Sequence, residues 1–165
     1  MHAPPDRVFA ADEILLALAD HGVDFVVIGG IAVQTHGYLR GTHDVDIIVR
    51  PTALNMSRLS EALADLQAEL RGGGTLRLTD PHQLRSAPLI PVMTRSGPLD
   101  IVDIDHVAGS PGNYERLRQA AVSVELEGRS LVVAGLSDLI RMKRTAGRDQ
   151  DLADIEVLTR PAEST

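Results

Sequence analysis

The spacing of apolar positions changes character several times along the chain. "ADEILLALADHGVD" puts Ile14, Leu15, Leu18 and Ala19 on one stripe and predicts a helix closed by Gly22. "DFVVIGG" is a short β-branched run and predicts a buried strand. "IAVQTHGY" predicts a helix whose first turn begins at Gly29 and Gly30. "HDVDIIVRP" reads as a second strand, stopped by Pro51. "TALNMSRLSEALADLQAEL" predicts a long amphipathic helix, with Thr52 as N-cap and the glycine run 72–74 as its end.

Beyond the glycines the pattern shortens. "TLRL", "APLIPVMT" and "LDIVDID" predict strands, with "RSGP" as the turn between the last two. "NYERLRQAA" predicts a helix, and "VSVELEGRSLVVA" a hairpin turning at Glu127-Gly128. "LSDLIRMKRTAG" and "QDLADIEVL" predict two closing helices, the first capped by Ser137, before a frayed "RPAEST" tail. No repeat or low-complexity segment interrupts this order. The expectation is a single α+β domain over residues 1–160, a small mixed β-sheet flanked by helices, with 161–165 a disordered tail.

Composition narrows what such a domain does. The 165 residues suffice for a hydrophobic core, but only two Phe and two Tyr are present, so the core is aliphatic. No aromatic platform is available for stacking single-stranded bases. A formal net charge of −7 argues against broad, non-specific nucleic-acid binding and leaves room for a local basic site. The absence of cysteine excludes disulfides, thiolate catalysis and Cys-ligated zinc. "MHAPPDR" lacks a signal-peptide pattern and no apolar run is long enough to span a membrane, so a cytoplasmic location is expected. Lys143 is the only lysine in the chain.

Two carboxylates stand where the second strand should bury apolar side chains. Residues two apart in a strand share a face, so Asp44 and Asp46 project together while Val45 and Ile47 enter the core. Held about 6–7 Å apart at their Cα atoms, they repel unless a cation intervenes. Mg²⁺, which takes carboxylate oxygens together with phosphate and water, suits the pair. The alternative is a solvated polar face of an edge strand. Thirteen residues upstream, Gly29-Gly30 ends a strand and opens a helix, where unpaired N–H groups and the absence of Cβ atoms let a phosphate approach. A plain tight turn is the alternative there. The combined order, strand, glycine pair, helix, strand with D-x-D, suits phosphoryl or nucleotidyl transfer.

These residues resemble the signature of the polymerase-β-like nucleotidyltransferase superfamily. "IGG", the thirteen-residue spacer and "DVDI" match it, and "RGTHDVD" is similar to the R-x-T-x-D-x-D run of bacterial members related to the abortive-infection (AbiEii-type) nucleotidyltransferase toxins. "GPLDIV", "LEGRSLVVAGLSDLIRMK" and "GRDQDLADI" extend the likeness over nearly the whole chain. The resemblance implies the nucleotidyltransferase fold. It also implies an activity that moves a nucleoside monophosphate from an NTP to a hydroxyl of tRNA, a protein or a small molecule such as an aminoglycoside. A toxin–antitoxin or defence role belongs to the same implication, and a catalytically silent nucleotide-sensing or partner-binding module is the alternative. Asp44 and Asp46 would hold two Mg²⁺ ions. Asp100 would be the third carboxylate, ligating the catalytic ion and helping to deprotonate the acceptor, in preference to Asp103 and Asp105 on the opposite face. Larger toxins of the group carry an additional helical domain that grips the acceptor. Here a partner protein or a homo-oligomer is expected to supply that part.

Other residues have two readings each. Arg40 pairs with a carboxylate or meets the triphosphate. Thr42 shares parity with the aspartates and could orient a ligand. Lys143 is either a snorkelling surface lysine or, by resemblance, a triphosphate ligand. Asp151 and Asp154 are read as structural helix charges pairing with Arg148 or Lys143. His36 and His43 flank the site without zinc spacing and receive no catalytic role.

Overall fold

A computed structural model of the chain describes residues 9–38 and 41–160. In chain order the elements are α1 (Ala11–Asp20), β1 (Phe25–Ile28), α2 (Gly29–Thr35), β2 (Val45–Val49), α3 (Ala53–Asp65), β3 (Glu69–Leu70) and α4 (Pro81–Ser86). They continue with β4 (Leu89–Thr94), β5 (Gly97–Val102), a 3-10 turn (Ile104–His106), α5 (Tyr114–Gln119), β6 (Val122–Leu126), β7 (Arg129–Val133), α6 (Leu136–Ala146) and α7 (Asp149–Leu158). The tail 161–165 lies outside the described residues.

All seven strands join one mixed sheet in the order β3-β4-β5-β2-β1-β7-β6. β2 runs antiparallel to β1 and parallel to β5, and β1 runs parallel to β7. β2 is thus central, and its alternation divides two cores. Val45 and Ile47 enter the larger one, with Ile14, Leu18, Leu59, Leu63, Leu99 and Ile101 from α1, α3 and β5. Ile48 faces the other way, into a smaller cluster with Val26, Ile104, Tyr114, Leu117, Ala134 and Met142. Asp46 shares the face of Ile48. The acidic positions therefore lie on the side of the sheet where apolar packing is thinnest.

Local chemistry explains most boundaries. Thr52 caps α3 as expected, its hydroxyl accepting the Asn55 N–H at 3.2 Å. The expected long helix, however, stops at Asp65. Gln67 turns left-handed (φ 53), and residues 69–70 pair with β4 instead of extending the helix. "TLRL" forms no strand. After it, Asp80 caps α4, accepting the N–H groups of His82 and Gln83, with Pro81 in the first turn. Ser137 does not cap α6, which begins one residue earlier, after Gly135. The strand expected to run through "LDIVDID" ends at Val102, because Asp103 caps the 3-10 turn by accepting the Asp105 N–H.

Candidate active site

β2 and β5 are parallel neighbours in register, with Asp46 opposite Asp100. Asp44, in the bend before β2, completes the group. One carboxylate oxygen from each of Asp44, Asp46 and Asp100 lies within 4.8 Å of the others. Asp103 and Asp105 are not part of it; Asp103 instead pairs with His106 Nδ1 at 3.3 Å.

The cluster is electrostatically uncomfortable. Burial, and then the neighbouring Asp44 charge, raise the Asp46 pKa from 3.8 to about 6, against the opposing pull of Lys143 and Arg148. Three carboxylates this close, partly screened from water, form the donor set of a hard divalent cation. The residues present fit such an ion.

Gly29 has a role that its place in the turn does not reveal. Its φ of +69 is left-handed, and a Cβ there would overlap Asp46 Oδ2. The glycine thus makes room for the carboxylate as well as exposing backbone. Gly29→Ala is expected to lower stability by roughly 2 kcal/mol or more, with at least about 1 kcal/mol from the backbone alone. Urea unfolding of the metal-free variant measures it.

The acids line one wall of a cavity of about 600 Å³, in the range of small-ligand sites. Gly29, Gly30, Thr42, Lys143, Arg148 and Asp151 line it as well. Val102, Val107, Leu139 and Met142 supply an apolar part. Thr42 donates its hydroxyl to the Asp44 carbonyl at 3.2 Å, which steadies the bend. Arg40 lies outside the described residues. His43 lines the cavity, whereas His36 Nε2 lies 2.9 Å from the Ala134 carbonyl and ties the end of α2 to the end of β7.

Lys143 is not a surface lysine. It is 6% exposed, with Nζ 2.8 Å from Asp154 Oδ2 and 3.4 Å from Asp151 Oδ1. Arg148 donates from Nε to Asp151 Oδ2 at 2.7 Å. Burial opposes the charge on Asp151, but the hydrogen bond and charge of Arg148, with help from Lys143, hold its pKa below 3.8. Asp151 and Asp154 therefore neutralise the buried Lys143 ammonium, and Asp151 also holds Arg148.

Two residues near the acids escape sequence reasoning as part of the site. Arg148 reads from the sequence only as a partner of Asp151; its charge also acts on Asp44 and Asp46. Arg71 donates from Nη2 to Asp100 Oδ1, and no sequence signal separates it from the chain's other arginines.

The seven-stranded mixed sheet flanked by helices is the nucleotidyltransferase fold, and solved structures share it. The lincomycin-bound lincosamide antibiotic adenylyltransferase LnuA superposes with a TM-score of 0.60 at 16% identity, over 93% of this chain and 98% of that one. ANT(2″)-Ia in complex with adenylyl-2″-tobramycin gives 0.57 at 12%, over 90% and 84%. An antigenic nucleotidyltransferase-like protein from Paracoccidioides brasiliensis gives 0.54 at 18%, over 91% and 77%. At these identities the likeness is one of fold. No curated protein matches the chain. The chain belongs to the family described as "Nucleotidyltransferase of unknown function (DUF6036)", whose model matches residues 6–159. Neither the family description nor these structures names an abortive-infection toxin. Among the described residues no helix is long and apolar enough to cross a membrane.

Proposed function

We propose that the protein is a Mg²⁺-dependent nucleotidyltransferase that moves a nucleoside monophosphate from an NTP to a hydroxyl acceptor. The observation that carries this reading is the grouping of Asp44, Asp46 and Asp100 in one cavity with Lys143 and Arg148. An acidic cluster alone suits a metal, and a basic pair alone suits an anion. Side by side they suit a metal-bound polyphosphate.

In this reading Asp44 and Asp46 would hold two Mg²⁺ ions, which when bound would orient the triphosphate and offset its charge. Asp100 would share in holding the ion beside the acceptor and help to take the proton of the acceptor hydroxyl. The acceptor oxygen forms a bond to the α-phosphorus as the bond to the β-phosphate oxygen breaks. Pyrophosphate leaves with its charge received by Lys143 and Arg148, beside the Gly29-Gly30 turn. Asp151 and Asp154 keep those cations in place. The apolar part of the cavity around Val102 and Met142 excludes water from the bound nucleotide.

The acceptor is a tRNA, a protein side chain or a small molecule. Two fold neighbours are antibiotic-modifying proteins by description, one bound to lincomycin and one to an adenylylated tobramycin. A net charge of −7 disfavours an extended RNA surface on this chain alone, so a partner protein would present such an acceptor. A cytoplasmic toxin–antitoxin or defence role is the setting that the motif likeness suggests.

The test is label transfer. The protein is incubated with each α-labelled NTP and Mg²⁺, alongside total RNA, cell lysate or an aminoglycoside. Label should move to one acceptor class, and Asp44→Ala should reduce transfer by about 10²–10³-fold, the scale lost when a group stabilising developing charge is removed. Phosphate release without labelled product, or nucleotide binding without transfer to any acceptor, would overturn the reading.

A further inference from the structure

We propose that Arg71 is a positioning residue that fixes the Asp100 carboxylate for divalent-metal binding, an inference that rests on the metal-dependent reading above. Arg71 stands at the edge of the sheet. There β3 contributes only two paired residues, Glu69 opposite Met93 and Leu70 opposite Val92. Neither is buried, so this strand adds little to the core. Immediately after them, Arg71 donates its backbone N–H to the Pro91 carbonyl at 2.9 Å and so continues the ladder by one residue. The chain then turns away through Gly72, Gly73 and Gly74, with φ of 79, 78 and 134.

Residues opposite one another on adjacent strands share a face. Arg71 stands opposite Pro91, Pro91 pairs with Asp100, and Asp100 pairs with Asp46. The four form one row across β3, β4, β5 and β2, all on the acidic face. Neighbouring strands are about 4.8 Å apart, so Arg71 must reach across two strand spacings. The residue between, Pro91, is a compact ring with no charge and no hydrogen-bonding side-chain atom. Asp100 is thus the first acid that a long cationic side chain meets in that row, and the Arg71 guanidinium ends on Asp100 Oδ1.

The contact is specific rather than a loose surface pairing. Arg71 and Asp100 are 33% and 21% exposed, and Arg71 Nε is buried with no hydrogen-bond partner. A carboxylate offers two oxygens. With Oδ1 occupied by the guanidinium, rotation about the Asp100 side chain is restricted and the second oxygen is left for the cluster. Partners of this kind on a ligating carboxylate orient it, and their loss weakens metal affinity by roughly 10–100-fold.

The test uses Mn²⁺ alone, titrated without nucleotide and followed by the electron paramagnetic resonance of the free ion. Wild type, Arg71→Gln, Arg71→Lys, Asp100→Asn and the Arg71→Gln/Asp100→Asn double variant are compared. Arg71→Gln is expected to weaken Mn²⁺ binding by about 10-fold or more. Arg71→Lys should recover part of that loss, since it keeps the charge but not the planar fork. The double variant should bind no more weakly than Asp100→Asn alone, because Arg71 acts only through Asp100. Unchanged or tighter binding in Arg71→Gln would show that the guanidinium is irrelevant to the ion or competes with it, and overturns the inference; so would fully additive losses. If Arg71→Gln fails to fold, Arg71→Lys decides: affinity equal to wild type overturns the inference. A wild type that takes up no Mn²⁺ overturns the metal reading itself, and this inference with it.

Discussion

Asp46→Asn is expected to make the metal-free protein more stable while removing nucleotidyl transfer. The Asp46 carboxyl has a folded-state pKa of about 6 against an ordinary 3.8, because burial and the Asp44 charge both disfavour ionisation. A raised carboxyl pKa means that the folded state holds the proton more tightly than the unfolded chain. The stabilising contribution is complete below about pH 4 and is lost as pH rises through 6. Above that, the folded protein carries a carboxylate it would rather protonate. At 1.36 kcal/mol per pKa unit the penalty at pH 8 is at most about 3 kcal/mol, with partial exposure of the side chain reducing it. Asn has the same shape and no charge. Denaturant midpoints without metal should therefore rise by about 1–3 kcal/mol equivalent at pH 8 and change little at pH 4.

Divalent ions should reverse that ranking. A cation that binds only the folded state stabilises it by RT ln(1 + [L]/Kd), where [L] is the free ion concentration. Mg²⁺ should therefore raise the wild-type melting temperature by several degrees, since each kcal/mol is worth about 2–4 °C for a chain of this size. The rise should be larger at pH 8 than at pH 5, because the ion competes with the proton on Asp46. In Asp46→Asn the rise should largely vanish, and transfer should fall by about 10²–10³-fold. A variant that keeps the full Mg²⁺-dependent shift would show that the three acids do not hold the ion.

How far the site can be read from the residues depends on the range of the interactions that place them. Gly29, Asp44 and Asp46 are legible because glycine at a strand end and strand parity are local facts. Asp46 and Ile48 do share a face, and Val45 and Ile47 do share the other. Asp100 is harder, since only the parallel pairing of β5 with β2, more than fifty residues apart in sequence, brings it opposite Asp46. Residues 67–80 mislead for the same reason. "QAEL" continues a helical pattern, yet pairing with β4 draws Glu69 and Leu70 into the sheet. No window confined to that segment contains the information. The Asp-Pro signal that starts α4, by contrast, is present at Asp80-Pro81 and is masked by the strand-like "TLRL" before it. Lys143 stands out by being the only lysine, but nothing local reveals that it is buried between two aspartates.

That burial makes Lys143→Met the most damaging substitution expected for the fold. Asp154 is 0% exposed and Asp151 2% exposed, and both lie within ion-pair distance of the Lys143 ammonium. Asp151 keeps Arg148 when the lysine is removed, while Asp154 loses a cation at 2.8 Å. Breaking a buried pair from one side costs about 3–5 kcal/mol, far more than the pair itself is worth against an apolar replacement. Lys143→Met should therefore lower the melting temperature by roughly 6–20 °C at 2–4 °C per kcal/mol. Removing both charges should restore much of the loss, so Lys143→Met/Asp154→Leu is expected to recover at least about half of it. The double variant then separates structure from chemistry. If Lys143 serves only to hold α6 against α7, the recovered protein should bind NTP as the wild type does. If its ammonium also receives the triphosphate, recovered stability should come with NTP binding weakened by about 10-fold or more, the 1.5–3 kcal/mol of a charged hydrogen bond. Calorimetric titration with a non-hydrolysable NTP and Mg²⁺ reads the difference, and wild-type affinity in the refolded double variant would remove Lys143 from the phosphate site.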